Sequence, residues 1–134
     1  MRSRRFAAFA LDTLKSTPGV TKVQTLADAG ESKIPNGLVV VVDGKESRWG
    51  IVGQLADGER HEHEDQPQQG TPATWTDPVP GDNTEGWMAA AIGRAESPEI
   101  ARIERWSTRE GARPGNEGVT VFFHNTARAF VRKL

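Results

Sequence analysis

The 134-residue chain contains no cysteine. That excludes a disulfide framework, a thiolate metal site and a cysteine nucleophile. It also lacks an apolar run of membrane-spanning length: the stretch from Phe6 to Leu14 is broken by Asp12, well short of the ~20 residues that a helical span needs. The opening Met1-Arg2-Ser3-Arg4-Arg5 has no cleavable signal pattern. The expectation is a cytoplasmic protein, or a virion-associated one if phage-encoded, with no membrane partner. A glycine-rich phosphate loop, a Gly-x-Ser-x-Gly elbow and a His-Glu-x-x-His helix are missing too. With no credible nucleophile, the chain reads as a non-enzyme without a cofactor.

What is present is ordinary for a folded domain: 36% hydrophobic and 26% charged residues in a length that suits one domain with a real core. The net charge of -1 hides a segregation. Between Asp57 and Glu85 there are eight acidic residues and one basic residue, Arg60, so two mildly basic halves flank an acidic tether. Among the basic residues arginine outnumbers lysine twelve to five, which hints at a high-GC genome.

Ser3 is placed to cap a helix whose residues Phe6, Ala7, Ala10, Leu11 and Leu14 form one apolar stripe, stopped by Thr17-Pro18-Gly19. Val20 to Leu26 reads as a short strand. Leu38 to Val42 is a β-branched run apolar on both faces, which marks a strand covered on either side. Asp43-Gly44 signals a hairpin, with the return strand running through Arg48, Trp49, Ile51 and Val52. A second helix is expected from near Glu85, capped by Asp82, Asn83 or Thr84, carrying Trp87, Met88, Ala91, Ile92 and Ala95 and closed by Ser97-Pro98. Ile100 to Trp106 is assigned as strand, although Ser97-Pro98-Glu99 could equally start a helix. Val119 to Phe123, a turn at His124-Asn125 and a strand from Ala127 to Val131 complete the chain.

The two halves match in pattern at an offset of about eighty residues. Phe6 and Leu11 correspond to Trp87 and Ile92, Val20, Val23 and Leu26 to Ile100, Ile103 and Trp106, Gly37 to Val42 to Gly118 to Phe123, and Trp49 to Phe130. The expected fold is α+β: two αβββ repeats with antiparallel sheets, residues 3–56 and 85–134, joined by an acidic Pro/Gly-rich loop over 57–84. If the repeats join edge to edge with both helices on one side, the other face needs cover. That cover could be the other half folded over, the tether with Trp75, or another subunit. The partner-facing residues are therefore expected at Val39, Val41, Thr120, Phe122 and Trp75, for a protein partner or self-association.

Three polar constellations compete with that reading. Alternating imidazoles and carboxylates in Glu59-Arg60-His61-Glu62-His63-Glu64-Asp65 suit zinc, nickel or manganese, but no third ligand sits at a recognisable spacing. His124 would have to converge on His61 and His63 through the fold, so a solvated tether is preferred and a metal site is the alternative. Asp43, Lys45 and Glu46 hold the residue types of a magnesium nuclease crowded into one turn, the wrong arrangement for it. Basic residues Arg2, Arg4 and Arg5, then Arg102, Arg105, Arg109 and Arg113, then Arg128, Arg132 and Lys133 offer a nucleic-acid surface. The tether could instead lie across some of them as an internal counter-charge.

The opening from Arg5 through Leu14, a loop, and Ile34-Pro35 leading into Leu38 to Val42 resembles phage tail-terminator and tail-completion proteins, small α+β subunits that assemble as rings. The whole chain is also similar to small proteins of actinobacteria and their phages. The resemblance implies a non-catalytic assembly role in a virion.

Overall fold

The stripe of Phe6, Ala10 and Leu14 is fully buried on helix α1, Ser3–Lys15. The computed structural model describes residues 1–75 and 85–134. The chain continues through strands β1 (Val20–Thr25), β2 (Gly37–Val42) and β3 (Lys45–Gln54), helix α2 (Glu85–Gly93), and strands β4 (Ile100–Arg105), β5 (Gly118–Phe123) and β6 (Arg128–Lys133). The segment from Ile100 is thus strand, ending at Arg105, and Trp106, expected within it, instead opens a single 3₁₀ turn at Trp106–Thr108. The caps expected for α2 at Asp82, Asn83 or Thr84 lie outside the described residues.

Ser3 does not cap α1. The N-cap is Arg2, whose carbonyl accepts the Phe6 amide at 2.9 Å, and no side chain of the helix's own start bonds its free amides. Ser3 has turned inward against Gly53. The carboxylate near this helix start comes from the tether: Asp65 Oδ2 accepts the Arg2 amide at 3.2 Å, where the helix dipole favours negative charge.

All six strands form one antiparallel sheet in the order β1-β2-β3-β6-β5-β4. The two hairpins β2-β3 and β5-β6 meet at the centre, where Trp49 faces Lys133 and Gln54 faces Arg128. Asp43 and Gly44, both at positive φ (49° and 81°), make the two-residue turn whose twist suits a hairpin. The β5-β6 turn is one residue longer, with Thr126 at φ 76°. Trp49 stands opposite Leu38 and Val131 opposite Val119. The extra turn residue therefore makes Val131, not Phe130, the counterpart of Trp49 in register and face.

Both helices pack on the same side. Phe6 meets Phe123 edge-on at 5.8 Å between ring centres, a favoured aromatic geometry. Trp87, Met88 and Ile92 of α2 join Leu38, Val40, Trp49, Val121 and Val131 in one core. Trp49 keeps its indole N–H satisfied by the buried Ser47 hydroxyl at 2.8 Å. Fully burying side chains of this size stabilises by about 2–3 kcal/mol each, so these residues outweigh the rest of the contacts.

Glu85, at the start of α2, is 1% exposed, an unusual place for a carboxylate. It is matched by donors: the amide and hydroxyl of Ser107 on Oε1, the Gly118 amide on Oε2 at 2.9 Å, and the Arg105 guanidinium at 3.4 Å. Burial alone would raise its pKa, but those donors together hold it below the usual glutamate range. A carboxyl with a depressed folded-state pKa adds stability above its unfolded value and loses it as pH falls through the folded one. Urea unfolding should accordingly show Glu85→Ala destabilised by about 2–4 kcal/mol at pH 7, since its donors are left unpaired. The gap to wild type should shrink below about pH 4.

Two glycines fix the layers. A Cβ on Gly118 would meet the Trp106 ring at 2.6 Å and the Val131 carbonyl oxygen at 2.7 Å, and one on Gly37 would meet the Leu26 side chain and the Trp49 carbonyl oxygen. Gly118→Ala should cost about 1–3 kcal/mol, read as a lower urea midpoint and a red shift of Trp106 emission. An unchanged midpoint would mean that the indole does not rest on the strand.

Candidate binding face

Residues directly opposite in neighbouring strands share a face, so the register divides the sheet. Leu38, Val40, Ser47, Trp49, Ile51, Val119, Val121 and Val131 face the helices. The opposite side carries Lys22 and Gln24 on β1, Val39 and Val41 on β2, Glu46, Arg48, Gly50 and Val52 on β3, Arg128, Phe130 and Arg132 on β6, Thr120 and Phe122 on β5, and Arg102 and Glu104 on β4.

Of the three possible covers, the other half folded over as a sandwich is not formed, because both halves lie in the same sheet. Cover comes instead from the strand exits. Leu26, fully buried after β1, lies against Gly37, while Ile34 and Leu134 border Gly50. After β4, Trp106 lies against Gly118 and donates its indole N–H to Thr120 Oγ1 at 3.0 Å. Arg109 donates to the same oxygen at 2.7 Å and to Glu104 at 2.6 Å. The hydrogen bond from Arg109, against a smaller opposing effect of burial, holds the Glu104 carboxyl below its usual range.

These flaps leave the middle open. Val52, on one of the two central strands, is 62% exposed, and among the described residues only Leu134 is another large hydrophobic residue so exposed. Phe130 stands opposite Val52 and is half-buried, as are Phe122 and Val41. Arg102 and Arg128 both lie over the Phe122 ring, at 4.0 and 4.9 Å from its centre, within cation–π range. Including Arg109, the face holds six cationic side chains against Glu46 and Glu104.

The expected partner-facing residues fall in three places. Val41 and Phe122 line the open middle. Val39 and Thr120 belong to the same face but are 2% and 1% exposed, beneath neighbouring side chains. Trp75 is on the helix side, its Cβ against Gly93 of α2 and its indole donating to Glu96 at 3.1 Å. Val52 and Phe130 were not singled out by sequence. The signal for them was strand alternation: Val52 follows the core residue Ile51, and its exposure becomes visible only once the pairing with β6 is known.

The histidines do not form a donor set. His63 Nδ1 accepts the Arg60 amide at 3.2 Å, His124 Nε2 bonds the Thr71 carbonyl at 2.9 Å, and the His61 carbonyl takes a bond from Arg2. Among the described residues no group of three His, Asp or Glu side chains is arranged to hold a metal ion. Asp43, Lys45 and Glu46 are exposed at the β2-β3 turn.

The basic residues grouped by sequence divide into separate uses. Arg2 bonds Glu59 at 2.9 Å and the carbonyls of Arg60 and His61, while Arg5 bonds Asp65 at 2.8 Å and both carboxylate oxygens of Glu99. Arg105 serves Glu85 on the helix side. The part of the tether from Glu59 to Asp65 thus lies against the start of α1. It is also fastened to the β5-β6 turn by Thr126, whose hydroxyl accepts the Asp57 amide, and by Asn125, which donates to the Gln66 carbonyl. Although burial works the other way, the hydrogen bonds from Arg5 and from the Arg2 amide hold the Asp65 carboxyl below its ordinary range.

No family model matches the chain, and no curated protein or solved structure matches it either. Among the described residues no helix is long and apolar enough to cross a membrane.

The ion pairs at Arg2 and Arg5 are partly exposed, so salt should weaken them. Limited proteolysis between residues 59 and 66 should accelerate several-fold at high salt and in Arg5→Ala. Equal cleavage rates in low salt, high salt and the variant would show that charge does not hold the tether.

Proposed function

We propose that the chain is a non-catalytic assembly or protein-binding module whose helix-free sheet face is its working surface. The observation that carries this reading is Val52, 62% exposed on a central strand beside half-buried Phe130 and Phe122. Central strands of an antiparallel sheet with one solvated face ordinarily present polar side chains there, and a cluster of apolar ones marks an interface.

The reading includes an origin by duplication of an αβββ unit, with repeats at 3–56 and 85–134 and a connector at 57–84. Three coincidences support it. Both outer hairpins carry a register shift at the second residue of the outer strand, Val20/Lys22 and Ile100/Arg102. Strands β2 and β5 have the same order of buried and half-buried residues. Leu26 on Gly37 repeats as Trp106 on Gly118. The resemblance of the opening segment to tail-completion proteins supports a virion-assembly context, and neighbouring genes for portal, capsid or tail proteins would strengthen it. A metal-dependent role for His61, His63 and His124 gains no support from their positions, since the His63 and His124 rings bond separate backbone groups and His61 is exposed. Nucleic acid is the second reading, favoured by the arginines gathered on the helix-free face.

Replacing Val52 with the photo-cross-linking residue benzoylphenylalanine tests the assignment in the cells that encode the chain, with the same replacement at exposed Lys15 as reference. The expected outcome is a protease-sensitive, nuclease-resistant adduct at position 52 and none at 15. Nuclease-sensitive adducts, or equal labelling at both sites, would overturn the protein-binding reading.

A further inference from the structure

We infer that the partner of the helix-free face is an acidic protein segment, with an apolar side chain seated on Val52 and Phe130 and carboxylates meeting Arg128 and Arg132. The inference rests on the protein-binding reading above and adds the chemistry of the partner.

Charge supplies the first step. Arg128 and Arg132 are both exposed on the central strand β6, on either side of Phe130, and neither has a carboxylate within ion-pair distance among the described residues. Lys22, on the same face, also has none there. Elsewhere on the face Arg48 pairs with Glu46, and Arg102 and Arg109 share Glu104. Two of the three cationic side chains of the face that lack an ion-pair partner among the described residues, Arg128 and Arg132, therefore flank Phe130 in the open middle.

The chain's own tether does not supply the missing carboxylates from its described part. Glu59 and Asp65 are committed to Arg2 and Arg5 at the start of α1. A second copy presenting the same face would set Arg128 and Arg132 against their equivalents, a like-charge juxtaposition that disfavours the pairing. Nucleic acid would satisfy the arginines, but single-strand readers also offer aromatic ring faces to bases. Guanidinium groups lie over the Phe122 ring at 4.0 and 4.9 Å and Val52 is aliphatic, which leaves Phe130 as the single ring of the open middle without a guanidinium over it among the described residues. An acidic segment with apolar side chains fits both features, because carboxylates take bidentate bonds from arginine while the apolar group covers the centre.

Fluorescence anisotropy with the purified chain tests this, using a labelled glutamate–tyrosine random copolymer as the acidic probe. A labelled lysine–tyrosine copolymer and labelled oligo(dT) are the comparison probes. The acidic copolymer should bind at low salt and weaken about tenfold or more in Arg128→Glu/Arg132→Glu and in Val52→Glu. The surface variant Lys15→Glu should bind as wild type. Circular dichroism and urea midpoints of each variant separate lost binding from lost folding. Tighter binding to oligo(dT) than to the acidic copolymer would overturn the inference, as would equal affinity for both copolymers, no binding, or binding indifferent to the variants. Protein adducts at Val52 combined with any of these would leave the binding face standing and remove only the acidic character of its partner.

Discussion

The pairing of β3 with β6 is the contact on which the rest of this structure depends. It joins two hairpins far apart in sequence into one six-stranded sheet, and its register decides which residues of each half share a face. Trp49, Ile51 and Val131 thereby enter a common core under α1 and α2, while Val52 and Phe130 are turned together to the other side. A shift of one residue at this seam would exchange those two sets. The seam also joins residues about eighty positions apart, so loop closure must be met before the contact can form.

Arginine performs unlike tasks in different parts of the molecule. Arg2 and Arg5 are consumed in holding the tether, Arg105 compensates a buried carboxylate, and Arg102 and Arg128 lie over an aromatic ring. A nearly neutral net charge is the sum of these local balances and says little about any of them. Glu85 illustrates the same point from the acidic side. It belongs to the acidic region by sequence, yet its carboxylate is a structural plug that ties the start of α2 to the two strands beneath it, whereas Asp65 works as a remote cap for α1.

Strand and helix positions were legible because the periodicities are strong: the stripe from Phe6 to Leu14, the β-branched run from Leu38 to Val42, and its match at Val119 to Phe123. The segment beginning at Ile100 is ambiguous on its own, because Ser97-Pro98-Glu99 could start a helix, and its pattern match to Val20 to Leu26 favours strand. The role of Ser3 was misread because a capping oxygen was sought next to the helix, whereas Asp65 approaches Arg2 from sixty-three residues away. The Trp49 correspondence slipped by one because a longer turn is hard to see between pattern-matched strands. The exposed middle was half legible. The doubly apolar strands pointed to the helix-free face, but Val39 is buried there and Thr120 lies under Trp106 and Arg109, and the open ground is one strand inward at Val52 and Phe130.

The register shifts near the start of β1 and β4 bear on how another polypeptide could reach this sheet. These are the two outermost strands, and in each an extra residue interrupts the ladder while Lys22, Arg102 and Glu104 project charge from the rim. Such bulges and charges blunt the borders against strand addition. A backbone ladder that would accept almost any extended sequence is thereby made less favourable at either border. On the proposed reading, recognition would run through side chains on the flat of the sheet, where a partner is chosen by what it carries rather than by its ability to extend.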